Sequence, residues 1–543
     1  MADNKKDIVE QAYDATPYTS HPFKATAPEH LAAVATLFSL KPPGTGNARV
    51  LELGCASGGN LIPHAQQNPG GRYVGVDLSQ VQIKTGQRRI AALGLQNINL
   101  HHMSITDIDP AFGQFDYIIC HGVYSWVPPQ VQDAILRVCA ANLAADGVAI
   151  ISYNTYPGWK FKEVVREAML FRGNKYENPA DKLAHARGMF NFMHEMSGKG
   201  SVLNQVLEQH AGALNGQFDD YYLLHEYLEP YNSPCYLSEF MARAREHKLG
   251  YLADAETQSM FVGNLGSNIS EPLLRECGND QVVLEQYMDF LRNRQFRHTL
   301  LVHAEQQGQI RYQLDPVRLA QLHYACVVDS GAAAITHDDA GQSIKLGEQQ
   351  LQITGTVNKV ALQVLGERFP ATMRVAEIVA AVRQRLGRKQ DDNEAAVDTA
   401  AVDTAAVYTD TVLKLMEILI IRGAVDYRVQ ALDAAYSVAE KPVALAAARA
   451  DIALDPEFMP TSLWHQRIPL NIIQKLLLPK LDGSHTQAQL VDFILQQEQQ
   501  KMLEFKDKDG QRIADPQALR TEAGEHVRNA LHALRYNAVL IES

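Results

Sequence analysis

The sequence predicts an α/β chain: a doubly wound parallel sheet in the first 215 residues, then a helical stretch, then two smaller α+β modules. Three observations carry this. Short apolar runs alternate with helical stretches between residues 48 and 153, the first run ends in a glycine-rich turn, and the last 240 residues contain one helix-turn-helix plan twice. At 543 residues the chain is too long for a single core, and roughly 150 residues per domain implies three or four.

The strand candidates are residues 48–53 (ARVLEL), 72–76 (RYVGV), 97–102 (NINLHH), 115–120 (FDYIIC) and 147–153 (GVAIISY). The best-marked helix between them starts at Ser79, with Gln82 placed for a capping box, and ends near Gly94, a residue suited to a left-handed cap. Crossovers joining five such strands give a doubly wound sheet, which binds ligands at the carboxyl ends of its strands. From about 160 to 300 the pattern turns helical and aromatic, interrupted by LGYLAD (249–254), which suits an added edge strand. Beyond it, VALQVLGERFPATMRVAEIVAAVR with VLKLMEILIIRGAVDY, and IIQKLLLPKLDGSHTQAQLVDFIL with VRNALHALRYNAVLIE, each read helix, turn, helix, spacer, helix, short strand. That is the shape of a winged-helix module. The first spacer, 394–407, repeats AAVDT and reads as a low-complexity loop or an exposed helix extension. The expected domains are therefore 1–215, 216–300, 301–445 and 446–543.

Composition narrows the function. A formal charge of −12 offers no positive field for a phosphate backbone, so nucleic acid is not expected, and the winged-helix modules without basic clusters read as protein-contact or packing units. The polar start MADNKKDIVEQAYD has no apolar core, and no run approaches the ~20 apolar residues of a membrane span, which predicts a cytoplasmic protein without membrane insertion. Six scattered cysteines without C-x-x-C spacing predict reduced, buried thiols, and none of the 19 histidines sits in a metal-ligating pattern such as H-E-x-x-H.

The turn VLELGCASGGN (50–60) joins a strand to a helix, so its backbone N–H groups and the helix end face the ligand. Read as G-x-A-x-x-G (Gly54, Ala56, Gly59) it suits a dinucleotide; read as E-x-G-x-A-x-G (Glu52, Gly54, Ala56, Gly58) it suits S-adenosylmethionine. Asp77, 23 residues after Gly54, places a carboxylate for ribose hydroxyls and fits both. Three features favour the sulfonium cofactor. Glu52 suits a cationic ligand end and repels a pyrophosphate, while FDYIICHGVYSWVPP (115–129) and SYNTYPGW (152–159) crowd aromatics behind the fourth and fifth strands. Tyr124, Trp126, Tyr153, Tyr156 and Trp159 are placed to surround a cationic sulfur or an alkylammonium. Taken singly, each is also an ordinary core aromatic.

Together with YDATPYTSHPF (13–23), VLELGCASGGNLIPHA (50–65), VGVDLS (74–79), HEYLEPYNSPCYLSEF (225–240) and EQYMDFLRNRQFRHTLL (285–301), these stretches resemble the class I methyltransferases that carry a methyltransferase regulatory domain, a group that includes the rickettsial protein-lysine methyltransferases. The resemblance covers residues 10–300 closely and the C-terminal third more loosely. It implies a Rossmann-like methyltransferase sheet, a regulatory region at 216–300, and S-adenosylmethionine held by Tyr18, Glu52, Gly54, Cys55, Ala56, Gly58, Asn60, Asp77, Leu78, Ser104 and His121. It further implies Tyr13 and Tyr18 as an N-terminal lid, and His121, Tyr124, Trp126, Tyr153, Asn154 and Tyr156 around the reacting groups, with His121, Tyr124 or water taking the proton. Two departures stand out. Ser104 sits where relatives often place an acid near the adenine amine, and Ala56 replaces a glycine, which implies a backbone angle that alanine tolerates.

No N/D-P-P-Y/F sequence follows the fourth strand, which disfavours planar amides and exocyclic base amines as acceptors. The activity implied is methylation of lysine in a protein substrate. Alternatives are methylation of a small molecule or RNA, and a cofactor-sensing regulator with the winged-helix modules as output.

Overall fold

The computed structural model describes residues 20–542 except 213, 215–219, 230, 330, 332–333, 388–398, 507 and 509. Its centre is a sheet of seven strands in the order β3-β2-β1-β4-β5-β7-β6. The first five are β1 (Arg49–Leu53), β2 (Arg72–Asp77), β3 (Ile98–His102), β4 (Phe115–Cys120) and β5 (Leu143–Asn154), paired in parallel as the alternating pattern predicts. Within β1, β4 and β5, Val50, Leu51, Ile118, Ile119, Ile150 and Ile151 have no exposed surface, because helices cover both faces.

The other two strands come from the stretch expected to be helical. β6 (Leu249–Asp254) takes the edge, as LGYLAD suggested, and β7 (Phe296–His303) runs antiparallel between β5 and β6. Within EQYMDFLRNRQFRHTLL the helix Gln281–Arg292 stops because Asn293 turns left-handed (φ 50°), and FRHTLLVH continues as a strand. β7 is held down by Arg297, 1% exposed, whose guanidinium meets both oxygens of Asp289 at 2.7 and 2.8 Å and Glu285 at 3.0 Å.

The cap expected at Ser79 is present: its Oγ accepts the Gln82 N–H at 3.2 Å at the start of helix Gln80–Ala92, and Gly94 closes the far end at φ 68°. Helices Gly158–Gly173, Pro179–Met196, Val202–Gly212 and Asp220–Leu228 form a separate cluster around Met169, Phe190, Leu207 and Leu223. All six cysteines are buried and unpaired.

Both repeats of the C-terminal plan fold as read. The first is helices Thr356–Arg368, Val375–Gly387 and Thr399–Arg422, with the strand Asp426–Arg428 beside His323–Ala325; its apolar face joins the core of the large sheet. Residues 394–398 of the AAVDT spacer lie outside the described residues, and 399–407 open the third helix. The second is helices Ile472–Leu477, Gln487–Gln499 and Pro516–Tyr536 with a core of its own around Leu477, Leu490, Ile494 and Leu531. It docks through an Arg89–Asp451 ion pair and through Arg89 stacked 3.5 Å from the Phe458 ring centre. No helix among the described residues is long and apolar enough to cross a membrane.

Candidate functional site

The turn after β1 is built around Asp77 at the end of β2. One carboxylate oxygen accepts the Ala56 N–H at 2.8 Å and the other the Ser79 N–H at 2.8 Å, so one side chain joins the glycine turn to the start of helix Gln80–Ala92. A carboxylate has about four lone-pair positions, which leaves acceptor capacity for a ligand's hydroxyls. The Ala56 bond also bears on its backbone angle. Ala56 sits at φ 48°, in the left-handed region, so the expectation of an angle that suits alanine is corrected: the residue is strained by on the order of 1–3 kcal/mol, and Asp77 holds it there.

Gly54 (φ 76°) is required twice over, since a Cβ would also collide with Val123 Cγ2 from the loop after β4. Gly58 (φ 77°) forms the next bend, and the buried Cys55 thiol packs over Gly75, where a Cβ would lie 2.6 Å from its sulfur. Glu52, at the end of β1, is buried. Its Oε1 accepts the Asn60 amide at 2.8 Å, and its Oε2 has no partner. Burial, opposed by the Asn60 bond and reinforced by Asp77, pushes Glu52 up to about 8. A buried acid with a spare acceptor oxygen suits the cationic end of a ligand.

Asn60 is the hub of the turn. It starts helix Leu61–Gln67 without capping it, because its side chain is committed elsewhere: Nδ2 donates to Glu52, while Oδ1 accepts from the Phe23 N–H at 3.0 Å and faces His465 Nε2 at 2.8 Å. The N-terminal segment crosses directly over the turn. Ser20 Oγ accepts the Gly59 N–H at 2.7 Å, and a Cβ on Gly59 would fall within 2.8 Å of His21 N. Tyr13 and Tyr18 lie outside the described residues.

His121, after β4, continues this wall. Its ring lies 4.1 Å from Phe23 and stacks on His298 of β7 at 5.4 Å, and its Nδ1 is buried without a partner. Burial, then His298 and His21, push it down to about 3, so the ring is neutral at physiological pH. Leu78 and Ser104 stand at the other edge, both half-buried: Leu78 O contacts His102 Nε2 at 2.9 Å, and Ser104 Oγ is bonded to Thr106 at 2.8 Å.

The aromatics expected at the reacting group divide. Tyr124 and Tyr153, 0% and 1% exposed, sandwich Phe240 from helix Leu237–Glu246 at 5.2 and 4.2 Å, and the Tyr153 hydroxyl is bonded to Thr299 at 3.0 Å. Both rings belong to the core, and burial pushes Tyr124 up to about 12. Asn154 is buried and donates to Asn232 at 2.9 Å. Trp126 meets Trp159 edge-on at 6.0 Å, and half-buried Tyr156 donates to Glu163 at 2.7 Å beneath Lys160, 4.3 Å from its ring. The structure thus brings Glu52, Gly54, Cys55, Ala56, Gly58, Asn60, Asp77 and His121 to one place, whereas Tyr124 and Tyr153 pack on Phe240 and Tyr156 is bonded to Glu163. Ser20, Phe23, His298 and His465 join that place too; the first three lie in the stretches 13–23 and 285–301 on which the resemblance rests, without being singled out for the site, and nothing in the local sequence of His465 marks it.

Comparison with known proteins gives this arrangement a setting. Family models match residues 51–149 ("Methyltransferase domain"), 219–303 ("Predicted methyltransferase regulatory domain") and 440–539 ("PKMT, C-terminal winged helix domain"). An uncharacterized protein of Rickettsia prowazekii (strain Madrid E) is 34% identical over 97% of this chain and 93% of its own. The structure of PKMT2 from Rickettsia typhi is 30% identical and covers 97% of this chain and 100% of that one at a TM-score of 0.84; its complex with AdoHcy matches with a TM-score of 0.83 at the same coverage.

Proposed function

Since the chain belongs to the class I S-adenosylmethionine-dependent methyltransferases that carry a methyltransferase regulatory domain and a PKMT-type winged helix, we propose that it methylates lysine side chains of a protein substrate. The observation that carries this reading is end-to-end similarity to PKMT2, in all lobes and not only in the cofactor-binding sheet.

In this reading Asp77 accepts the ribose hydroxyls, the spare oxygen of Glu52 receives the ammonium of the methionine end, and the bends at Gly54 and Gly58 let the ligand approach the backbone. The orphaned, buried Glu52 oxygen and the cradle that a Gly54 side chain would fill are the features that fit such a ligand. The cofactor supplies a methyl group on a sulfonium sulfur, open to in-line displacement by an amine. The protein's part is alignment: the Ser20–Phe23 segment, His121 and His298 wall the strand ends and keep water out, and positioning of this kind accounts for much of the rate. A lysine of ordinary pKa ~10.4 must shed a proton first. His121, held at about 3, is too weak a base to take it, and the Tyr124 hydroxyl is sealed in the core, so the proton passes to bulk water before the amine enters the walled site.

The test is incubation of the purified protein and labelled S-adenosylmethionine with a lysate of its own cells, followed by mass spectrometry. Lysines heavier by one, two or three methyl groups are expected; label confined to small molecules or RNA would replace the reading with one of those acceptors.

A further inference from the structure

The first turn of helix Gly158–Gly173 carries Lys160 and no acid, although a helix N-terminus is the positive end of its dipole and disfavours cations. Aromatic rings hold the side chain there instead. Its Nζ lies 4.3 Å from the centre of the Tyr156 ring and 5.8 Å from that of Tyr236, within cation–π reach of both. The two rings are 5.3 Å apart; the Tyr156 hydroxyl donates to Glu163 at 2.7 Å, and the Glu239 carboxylate accepts the Tyr236 N–H at 3.0 Å. Burial, then Glu163 and Glu239, push the Tyr156 hydroxyl above its ordinary value, so both carboxylates bear on the spot where the ammonium sits.

Tyr236 continues into an exposed apolar face. Its ring lies 5.5 Å from Phe290 of helix Gln281–Arg292, whose outer side presents Val283, Tyr287, Phe290 and Leu291 at 39, 39, 52 and 55% exposure. Helical spacing puts the four on one stripe, while Glu285 and Asp289 on the opposite side hold Arg297. A single exposed apolar side chain is ordinary, but a continuous stripe of them marks an interaction surface. This rim adjoins the cofactor site: the Gly158 N–H donates to Arg294 O at 2.9 Å, Phe296 pairs with Asn154 at the end of β5, and the Phe296 ring meets His121 edge-on at 6.1 Å.

We propose that this rim is the docking site of the protein substrate, with Lys160 as its resident competitor: a protonated lysine of the incoming segment takes the place of the Lys160 ammonium between Tyr156 and Tyr236, and an apolar neighbour covers Phe290 and Leu291. The proposal rests on the lysine reading given above. Charge complementarity argues for this occupant, since the spot already receives an alkylammonium from the chain itself, framed by Glu163 and Glu239. Exchange of one ammonium for another leaves the charge of the rim unchanged. A lysine held here stays charged in contact with solvent and sheds its proton to bulk water before it passes Phe296 and His121.

The test is fluorescence anisotropy with the labelled peptide Lys-Phe-Lys-Phe-Lys on the full chain saturated with S-adenosylhomocysteine, so that no methyl transfer intervenes. Binding is expected, lost when the peptide lysines are acetylated and weakened about threefold or more by Tyr236→Ala and by Phe290→Ala. Lys160→Ala is expected to tighten it about threefold in the wild type but not in Tyr236→Ala, a coupling that a mere change of net charge would not give. Unchanged affinity for S-adenosylhomocysteine in every variant reports that each is folded. Absence of binding, indifference to both aromatic substitutions, or an equal gain from Lys160→Ala in both backgrounds overturns the proposal. The lysate assay fails separately: labelled lysines with a peptide indifferent to the rim reject the rim alone, whereas label confined to small molecules or RNA rejects the lysine reading and with it a substrate's claim on the rim.

Discussion

His465 and Asn60, 405 residues apart in the chain, share a hydrogen bond of 2.8 Å between Nε2 and Oδ1, with His465 stacked 3.8 Å from His64. The last module of the protein therefore grips the residue that orients Glu52. His465→Ala is expected to cost about 1–3 kcal/mol of unfolding free energy, because it strips a partner from a buried amide, and to weaken S-adenosylmethionine binding as well. Denaturant titration and calorimetry read the two effects. Burial holds His64 and His465 below their ordinary values, so their contribution is present above the unfolded value near 6.5 and is lost as pH falls below it; acid should loosen this contact.

Glu52 works in the opposite sense. Its folded value near 8 lies above the unfolded one, so its contribution to the stability of the ligand-free protein is present at low pH and is lost as pH rises through 8. A cationic ligand end favours the carboxylate, so affinity for S-adenosylmethionine should increase from about pH 6 to about pH 7.5, below the ~7.7–8.0 at which the ligand's own α-ammonium loses its charge. Isothermal titration across that range should show the increase in the wild type and a flat profile in Glu52→Gln.

Asp77→Ala removes the acceptor of the Ala56 and Ser79 N–H groups together with the ribose contacts assigned to it. Charge-assisted hydrogen bonds contribute about 1.5–3 kcal/mol each, so a loss of affinity of ~100-fold or more is expected by calorimetry. Unchanged affinity would remove Asp77 from the ribose role.

Gly54 and Ala56 should respond to substitution with opposite signs. Gly54→Ala drives a methyl group into Val123 and is expected to abolish cofactor binding, with Val123→Ala restoring only the steric part. Ala56→Gly relieves the left-handed angle and should stabilise the fold by about 1 kcal/mol in thermal melts.

Arg297→Ala would strand Asp289 and Glu285 in the core beneath β7. Removing one partner from such a buried network costs about 3–5 kcal/mol, measurable as a lower denaturation midpoint.

Much of this was legible beforehand because it is periodic or local. The five parallel strands, the Ser79 cap, the turn at Gly54 and the twin helical plans all show themselves within windows of about a dozen residues. β7 did not, because RQFRHTLLVH follows an amphipathic helix without a proline or glycine break; an asparagine makes the stop. The aromatic runs were visible but ambiguous: Tyr124 and Tyr153 pack on Phe240, whereas His121 meets Phe23, and only the three-dimensional position of those partners separates the roles. Contacts such as His465 with Asn60 leave no local trace.

The antiparallel insertion of β7 beside β5 also sets how the protein can be cut. A fragment ending at Asn154 would contain the glycine turn, Asp77 and five strands, yet β5 would lose its partner along Ala149–Asn154, six buried residues that are mostly apolar, and present them as a free margin. Such a margin templates pairing with other chains, so this fragment should self-associate, while one extended through His303 supplies its own cover.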